Sequence, residues 1–216
     1  MIAATRFGTP LPDGGTIGVA AAASPYDSRS DVLRGVEWWE ARGYRVKLGD
    51  GVWDRDDYVA GDARRRAEDL NTLFADPEVD VVQALQGGFG SAQTIPFLDF
   101  DLIAENPKPL LGYSDLTALH VAIRQRSGVA TIYGYGLMGV GANDTTSFST
   151  ERLLDVLRQG GAGKVPPDPD VPRQLCTRTV KPSRANTGAW LSEPPRPYGE
   201  RTTIVGSGGL TVLTGW

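Results

Sequence analysis

At 216 residues the chain has room for one large domain, or for a domain and part of a second, and 40% hydrophobic with 22% charged residues describes a globular protein with a sizeable core. A formal net charge of -4, with lysines and arginines scattered along the chain, excludes the basic footprint of a nucleic-acid binder. A single cysteine, Cys176, excludes an internal disulfide framework and suits a cytoplasmic setting; no apolar run reaches the roughly 18 residues of a membrane helix, and MIAATRFGTPLPDGG has no signal-peptide core.

Residues 16–24, TIGVAAAAS, form an apolar run without helical period and read as a buried strand ended by Ser24-Pro25. Between Arg29 and Arg42, Val32, Leu33, Val36 and Trp39 recur at helical spacing, and Gly43 supplies the stop. YRVKL (44–48) alternates as a strand. Gly61 to Phe74 is predicted helical, with Ala63, Ala67, Leu70 and Phe74 on one face; the run Arg64-Arg65-Arg66, followed by Glu68 and Asp69, reads as a solvated face with local ion pairs. VDVVQAL (79–85) is a strand that QGGFGS breaks. Residues 91–105 are helical but interrupted by Pro96, which predicts two short pieces. PLLGY is the next strand, DLTALHVAIRQR a helix and VATIYG (129–134) a strand; a last helix runs from its N-cap Ser149 to Gln159. Beyond Gly160 the Gly/Pro-rich GGAGKVPPDPDVPRQ reads as a linker, and LCTRTV, TTIV and GLTVLTG as short β-like segments. The boundary therefore falls near residue 165: an α/β domain over 1–165, then over 166–216 a linker and the start of a β-rich segment with too few large apolar groups for its own core.

Strands alternating with helices at this interval predict an α/β fold, a flavodoxin-like parallel sheet with helices on both faces. Function in such sheets gathers at the carboxyl ends of the strands, where AASPYD, LQGGFGS and GYSD all fall. Gly112-Tyr113-Ser114-Asp115 follows a strand and opens a helix, the context of a nucleophile elbow, and a helix N-terminus offers free N–H groups to a developing oxyanion. The G-x-S-x-G pattern is incomplete, because Leu116 stands at the last glycine position, and the same residues also suit Ser114 as a plain helix cap. Consecutive glycines at 87 and 88 let the backbone approach a ligand closely, or simply turn the chain from strand to helix. No Gly-Lys-Ser/Thr follows them, so this is not a phosphate loop.

Taken together, QGGFGSAQTIPFLDFDLIAENPKPLLGYSDLTALHVAI resembles the central block of the LD-carboxypeptidase family of serine peptidases, with its GG-aromatic turn, LD pair, NPK and GYSD-[IL]-TAL. GDARRRAEDLNTLFADPEVDVV resembles the segment before that block, VAAAASP the family's first strand and loop, and GSGGLTVLTG its GGNLS-type segment. The resemblance implies Ser114 as the nucleophile and an oxyanion hole built from the backbone N–H of Asp115 and one from the Gly87-Gly88-Phe89 turn, Gly88 or Phe89. It implies substrate contacts at Gln86, Gly87 and Trp190, no metal and no cofactor. Family members cut the L,D-amide of muropeptides beside a terminal D-alanine, whereas a subgroup resembling the microcin C immunity protein cuts an acyl-nucleotide amide. Gln86 stands where the carboxypeptidases commonly carry arginine, and LDFDLIAENPK is more similar to the microcin subgroup. Trp190 matches that subgroup's nucleobase-stacking tryptophan, or is a core or interface tryptophan. The expected partner is a small peptide or peptidyl-nucleotide substrate, with no nucleic acid and no membrane, and with a homodimer left open.

The family completes its triad with a glutamate and a histidine beyond the GGNLS-type segment. Here the one histidine, His120, sits six residues along the helix from Ser114, about 9 Å down the axis and on another face. Lys108 lies at the other end of the strand, about 20 Å away. Two expectations follow. Either the chain is a fragment of an active serine hydrolase and is inactive by itself, or it is a shortened, non-catalytic relative that binds a ligand in the same cleft. The unfinished β segment at the end favours the fragment.

Overall fold

In a computed structural model of the protein, which describes residues 5–142 and 146–160 and the backbone of Leu210–Val212, the apolar runs sort themselves by face. Six strands, β1 (Thr16–Ala20), β2 (Arg45–Leu48), β3 (Val81–Ala84), β4 (Leu110–Gly112), β5 (Thr131–Tyr133) and β6 (Leu210–Val212), form one sheet in the order β2-β1-β3-β4-β5-β6. Every pairing is parallel. Parallel neighbours need long crossovers, which helices provide: α1 (Arg29–Glu40), α2 (Ala63–Ala75), α3 (Phe100–Glu105), α4 (Thr117–Arg126), α5 (Leu137–Val140) and α6 (Ser147–Gln159). The flavodoxin-like expectation is met. β6 comes from GLTVLTG and extends the sheet beside β5. The proposed boundary near 165, Cys176 and Trp190 lie outside the described residues.

Alternation along the strands divides the core in two. Ile17, Val19, Val81 and Leu111 pack with Val32 and Trp39 of α1 and with Leu153 and Val156 of α6. Their strand neighbours Ala20, Val82 and Leu110 pack on the opposite face with Leu70 and Phe74 of α2 and with Leu119 and Ile123 of α4. A period of two in the strands thus feeds two helical layers.

The segment 91–105 divides as expected, into a 3₁₀ stretch at Ser91–Phe97 containing Pro96 and the short α3, whose N-cap Asp99 accepts the Leu102 N–H at 2.9 Å. Three details differ from expectation. The strands are shorter than their apolar runs; β1 stops at Ala20, although Ala21, Ala22 and Ala23 remain buried in the loop that follows. The cap of α6 is Thr146, not Ser149: the Thr146 hydroxyl accepts the Ser149 N–H at 3.2 Å, so Ser149 already occupies the third helical position. The arginine run of α2 is not one solvated face. Arg65 lies 3.7–3.9 Å from the carboxylates of Asp50, Asp54 and Asp69, whereas Arg66 is only 2% exposed. Helical spacing turns Arg66 to the same side as Leu70 and Leu73, where main-chain oxygens await its guanidinium.

Two buried polar side chains anchor the sheet. Gln83, in β3, accepts the Trp39 indole N–H at 2.9 Å and donates to the Tyr135 carbonyl at 3.0 Å, which ties α1 to the loop after β5 through the sheet. His120 is fully buried on α4, with Nε2 3.0 Å from the Gly112 carbonyl and Nδ1 without a partner among the described residues. A carbonyl only accepts, so Nε2 carries a proton. Burial pushes its pKa down to about 4, against the Gly112 hydrogen bond, which acts the other way.

Replacing Gln83 with methionine leaves the Trp39 N–H and the Tyr135 carbonyl without their partner, and is expected to lower unfolding stability by about 1–3 kcal/mol in a urea titration. For His120 the folded pKa lies below the unfolded value of 6.5, so the folded state binds fewer protons through this window. Its contribution to stability is present in full above about pH 6.5 and is lost as pH falls, completely by about pH 4, a change of roughly 3 kcal/mol. Urea midpoints from pH 4 to pH 7 are expected to lose that component of their pH slope in His120→Gln; an identical slope in both proteins would contradict the assignment.

Candidate active site

Because all strands run the same way, the loops after β1, β3 and β4 meet at one edge of the sheet. β1 and β3 adjoin the point where the chain, having crossed to β2, returns to the other side, and a crevice opens outside carboxyl ends at such a point. Ser114 follows β4 after one residue, Tyr113. It is exposed and takes a left-handed backbone, φ 58°, a conformation that costs a non-glycine residue energy and persists only where neighbours impose it. The neighbours are visible. The Ser114 N–H donates to the Tyr133 hydroxyl at the end of β5 at 2.9 Å, and the Ser114 carbonyl accepts the Thr117 hydroxyl at 2.7 Å.

The glycine turn lies directly against this serine. A Cβ at Gly87 would sit 2.9 Å from Ser114 Cβ and 3.4 Å from its Oγ, so only glycine permits the approach. Gly88 has φ 108°, closed to most side chains. At the far end of the turn, the Ser91 N–H donates to the Asp115 carboxylate at 2.7 Å, while the Ser91 hydroxyl donates to the Asp115 carbonyl at 2.6 Å. These two bonds, both donated by Ser91, lock the turn to the first residue after Ser114.

Arg66 braces the same turn from beneath. Its Nη1 donates to the carbonyls of Ala22 at 2.8 Å and Gly90 at 2.9 Å, its Nη2 to Gln93 Oε1 at 2.7 Å, and its Nε to the Gly61 carbonyl at 2.9 Å. Burial lowers its pKa from the ordinary value, while the Asp62 and Asp115 carboxylates act in the opposite direction.

Of the donors expected from the turn, the Phe89 N–H is already taken: it donates to the Ser24 hydroxyl at 3.1 Å. Among the described residues the N–H groups of Gly88 and Asp115 are given to no acceptor, so they are the pair that can meet an oxyanion. The Phe89 ring is 67% exposed and stands edge-to-face with Tyr58, centroids 6.5 Å apart. Gln86 is half-buried and hydrogen-bonded to the Pro25 carbonyl. Trp190 lies outside the described residues.

No base is found beside Ser114 among the described residues. His120 donates its Nε2 proton to the Gly112 carbonyl from within the core, and Lys108, two residues before β4, donates to the carbonyls of Leu73, at 3.2 Å, and Asp76. Burial also pushes the Tyr113 phenol up, which keeps it protonated. Among the described residues no group of three or more His, Cys, Asp or Glu could hold a metal, and no helix is long and apolar enough to cross a membrane. Sequence reasoning missed Ser24, Arg66, Ser91 and Tyr133. The Arg66 signal was present as a cation at a position of α2 that falls in line with Leu70.

Known proteins resemble the chain over this part of its length. Residues 17–134 match the model of the LD-carboxypeptidase N-terminal domain. The chain is 40% identical over 124 residues to a probable murein peptide carboxypeptidase of Bacillus subtilis, covering 57% of this chain and 39% of that protein. It is 35% identical over 131 residues to the microcin C7 self-immunity protein MccF of Escherichia coli, covering 60% and 38%. Among solved structures, an MccF-like protein from Bacillus anthracis superposes with a TM-score of 0.68 at 29% identity, over 71% of this chain and 47% of that one. MccF in complex with aspartyl sulfamoyl adenosine gives 0.70 at 26% identity, over 91% and 58%. The chain thus spans less than half the length of these curated relatives. The family match takes in more than half of the chain, from β1 through the Gly87 turn and Ser114 to β5, and the chain belongs to the LD-carboxypeptidase family of serine peptidases.

Proposed function

We propose that this chain carries the nucleophile and oxyanion hole of a serine amidase that cuts either the L,D-amide of a muropeptide or the amide of a peptidyl- or aminoacyl-nucleotide. The observation that carries the reading is the exposed Ser114, held in a left-handed backbone with Gly87 packed against it. In the reaction, Ser114 Oγ attacks the amide carbonyl carbon. The carbonyl oxygen takes up the negative charge between the N–H groups of Asp115 and Gly88, and a base removes the serine proton and hands it to the departing amine. Water then attacks the acyl-enzyme and frees the acid. The sole histidine of the sequence is committed to the core, and among the described residues none stands where it could be that base. We place the reaction in the cytoplasm, with no metal or cofactor.

Both substrate classes have support among relatives: one is named a probable murein peptide carboxypeptidase, another was solved with aspartyl sulfamoyl adenosine. Gln86, whose amide is held by the Pro25 carbonyl, offers no charge to a substrate carboxylate, and the exposed Phe89 and Tyr58 rings suit a flat ligand group. These features favour the acyl-nucleotide.

Hydrolysis of one L,D-muropeptide and one aminoacyl sulfamoyl adenosine is to be measured with the full reading frame and with residues 1–216 alone. The short chain is expected to turn over neither. The full reading frame is expected to cleave one of them, with kcat falling by about 10³-fold or more in Ser114→Ala. Undiminished turnover in that variant would remove the serine mechanism. Gln86→Arg is expected to move the preference towards the carboxylate-bearing muropeptide, because arginine pairs bidentately with carboxylates.

A further inference from the structure

Ser24, in the loop after β1, touches the glycine turn on both sides of Gly88. Its N–H donates to the Gly87 carbonyl at 3.2 Å, and its hydroxyl oxygen accepts the Phe89 N–H at 3.1 Å. The hydroxyl proton is committed elsewhere, to the Tyr58 carbonyl at 2.9 Å, so the oxygen lone pairs are left for Phe89. Gly88 lies flat on this side chain: a Cβ there would collide with Ser24 Oγ.

The peptide linking Gly87 to Gly88 is trans, and in a planar trans peptide the carbonyl and the N–H point in opposite directions. Drawing the Gly87 carbonyl towards Ser24 therefore turns the Gly88 N–H away from the β1 loop. In the sheet order β1-β3-β4, away from β1 is towards β4, the side on which Ser114 emerges. Meanwhile the Phe89 N–H is consumed. We propose that Ser24 is a positioning residue: its hydroxyl takes up the Phe89 N–H and so fixes the turn, while its main-chain bond to the Gly87 carbonyl leaves Gly88 N–H aimed at the acyl oxygen of a substrate on Ser114. The inference rests on the serine-amidase reading for its catalytic part. Its structural part, the hold on the turn, stands independently.

The test has two readouts. The first is amide hydrogen exchange in the 216-residue chain, resolved at Gly88 and Phe89. The wild type is expected to protect Phe89 and leave Gly88 open, and Ser24→Ala to speed Phe89 exchange by about tenfold or more, with urea midpoints measured alongside to separate turn loosening from global unfolding. Unchanged exchange at Phe89 would overturn the proposal. The second readout uses the full reading frame and whichever amide it cleaves. Ser24→Ala, which keeps the main-chain bond to Gly87 but loses the hydroxyl's hold on Phe89, is expected to lower kcat by about 10- to 100-fold with KM little changed, and to weaken inhibition by a peptide boronate, whose tetrahedral adduct fills the oxyanion hole, by a similar factor. Ser24→Thr, which keeps the hydroxyl, is expected to recover most of both. Faster exchange at Phe89 with kcat and boronate affinity unaltered would overturn the positioning role. Full turnover in Ser114→Ala would instead discard the amidase reading, and the exchange experiment would still decide whether Ser24 holds the turn.

Discussion

Gly87 can rest against Ser114 only because β3 and β4 are parallel neighbours in one particular register, with Val82 opposite Leu110 and Gln83 opposite Leu111. That register sends Leu110 into the core layer under α2 and α4, and Leu111 into the layer under α1 and α6. A slip of one residue would exchange the two leucines between layers and carry Ser114 past the glycine turn in the same movement. The position of the serine is thus held by apolar packing on both faces of the sheet. Hydrogen bonds refine it.

That refinement is made of bonds to main-chain atoms. Arg66 binds the carbonyls of Ala22, Gly61 and Gly90; Ser24 binds the carbonyl of Gly87 and the N–H of Phe89; Asp115 binds the N–H of Ser91; Tyr133 binds the N–H of Ser114. A buried guanidinium is costly to desolvate and is tolerated where several oxygens surround it, as they do here. It joins the loop after β1, the start of α2 and the end of the glycine turn, segments far apart in the sequence.

The distance between those segments explains what could be read from the chain beforehand. The exposed turn at Ser114 and the glycine turn were legible because their signals are local: an apolar strand, then glycines or Gly-Tyr-Ser-Asp, then a helix. The parallel sheet was legible from alternating periods. Ser24 and Arg66 were not, since nothing near Ser24 says that Phe89 will present its N–H, and an arginine between two others looks solvated until the sheet covers it. Gln83 and Trp39 meet across 44 residues for the same reason. The cap of α6 was misassigned by three positions because Thr146 and Ser149 are both good capping residues, and only the geometry of the first turn distinguishes acceptor from donor.

Since the glycine turn and the Ser114 turn are clasped through their backbones, the side chains of Phe89 and Tyr58, which face outward from that frame, carry little of the burden of keeping it in shape. On the amidase reading, the residues that would greet a ligand and the residues that hold the turn are thereby different sets. A lineage built on this frame can exchange its outward side chains, and with them the ligand it prefers, one at a time, without first dismantling the machinery that would cut it.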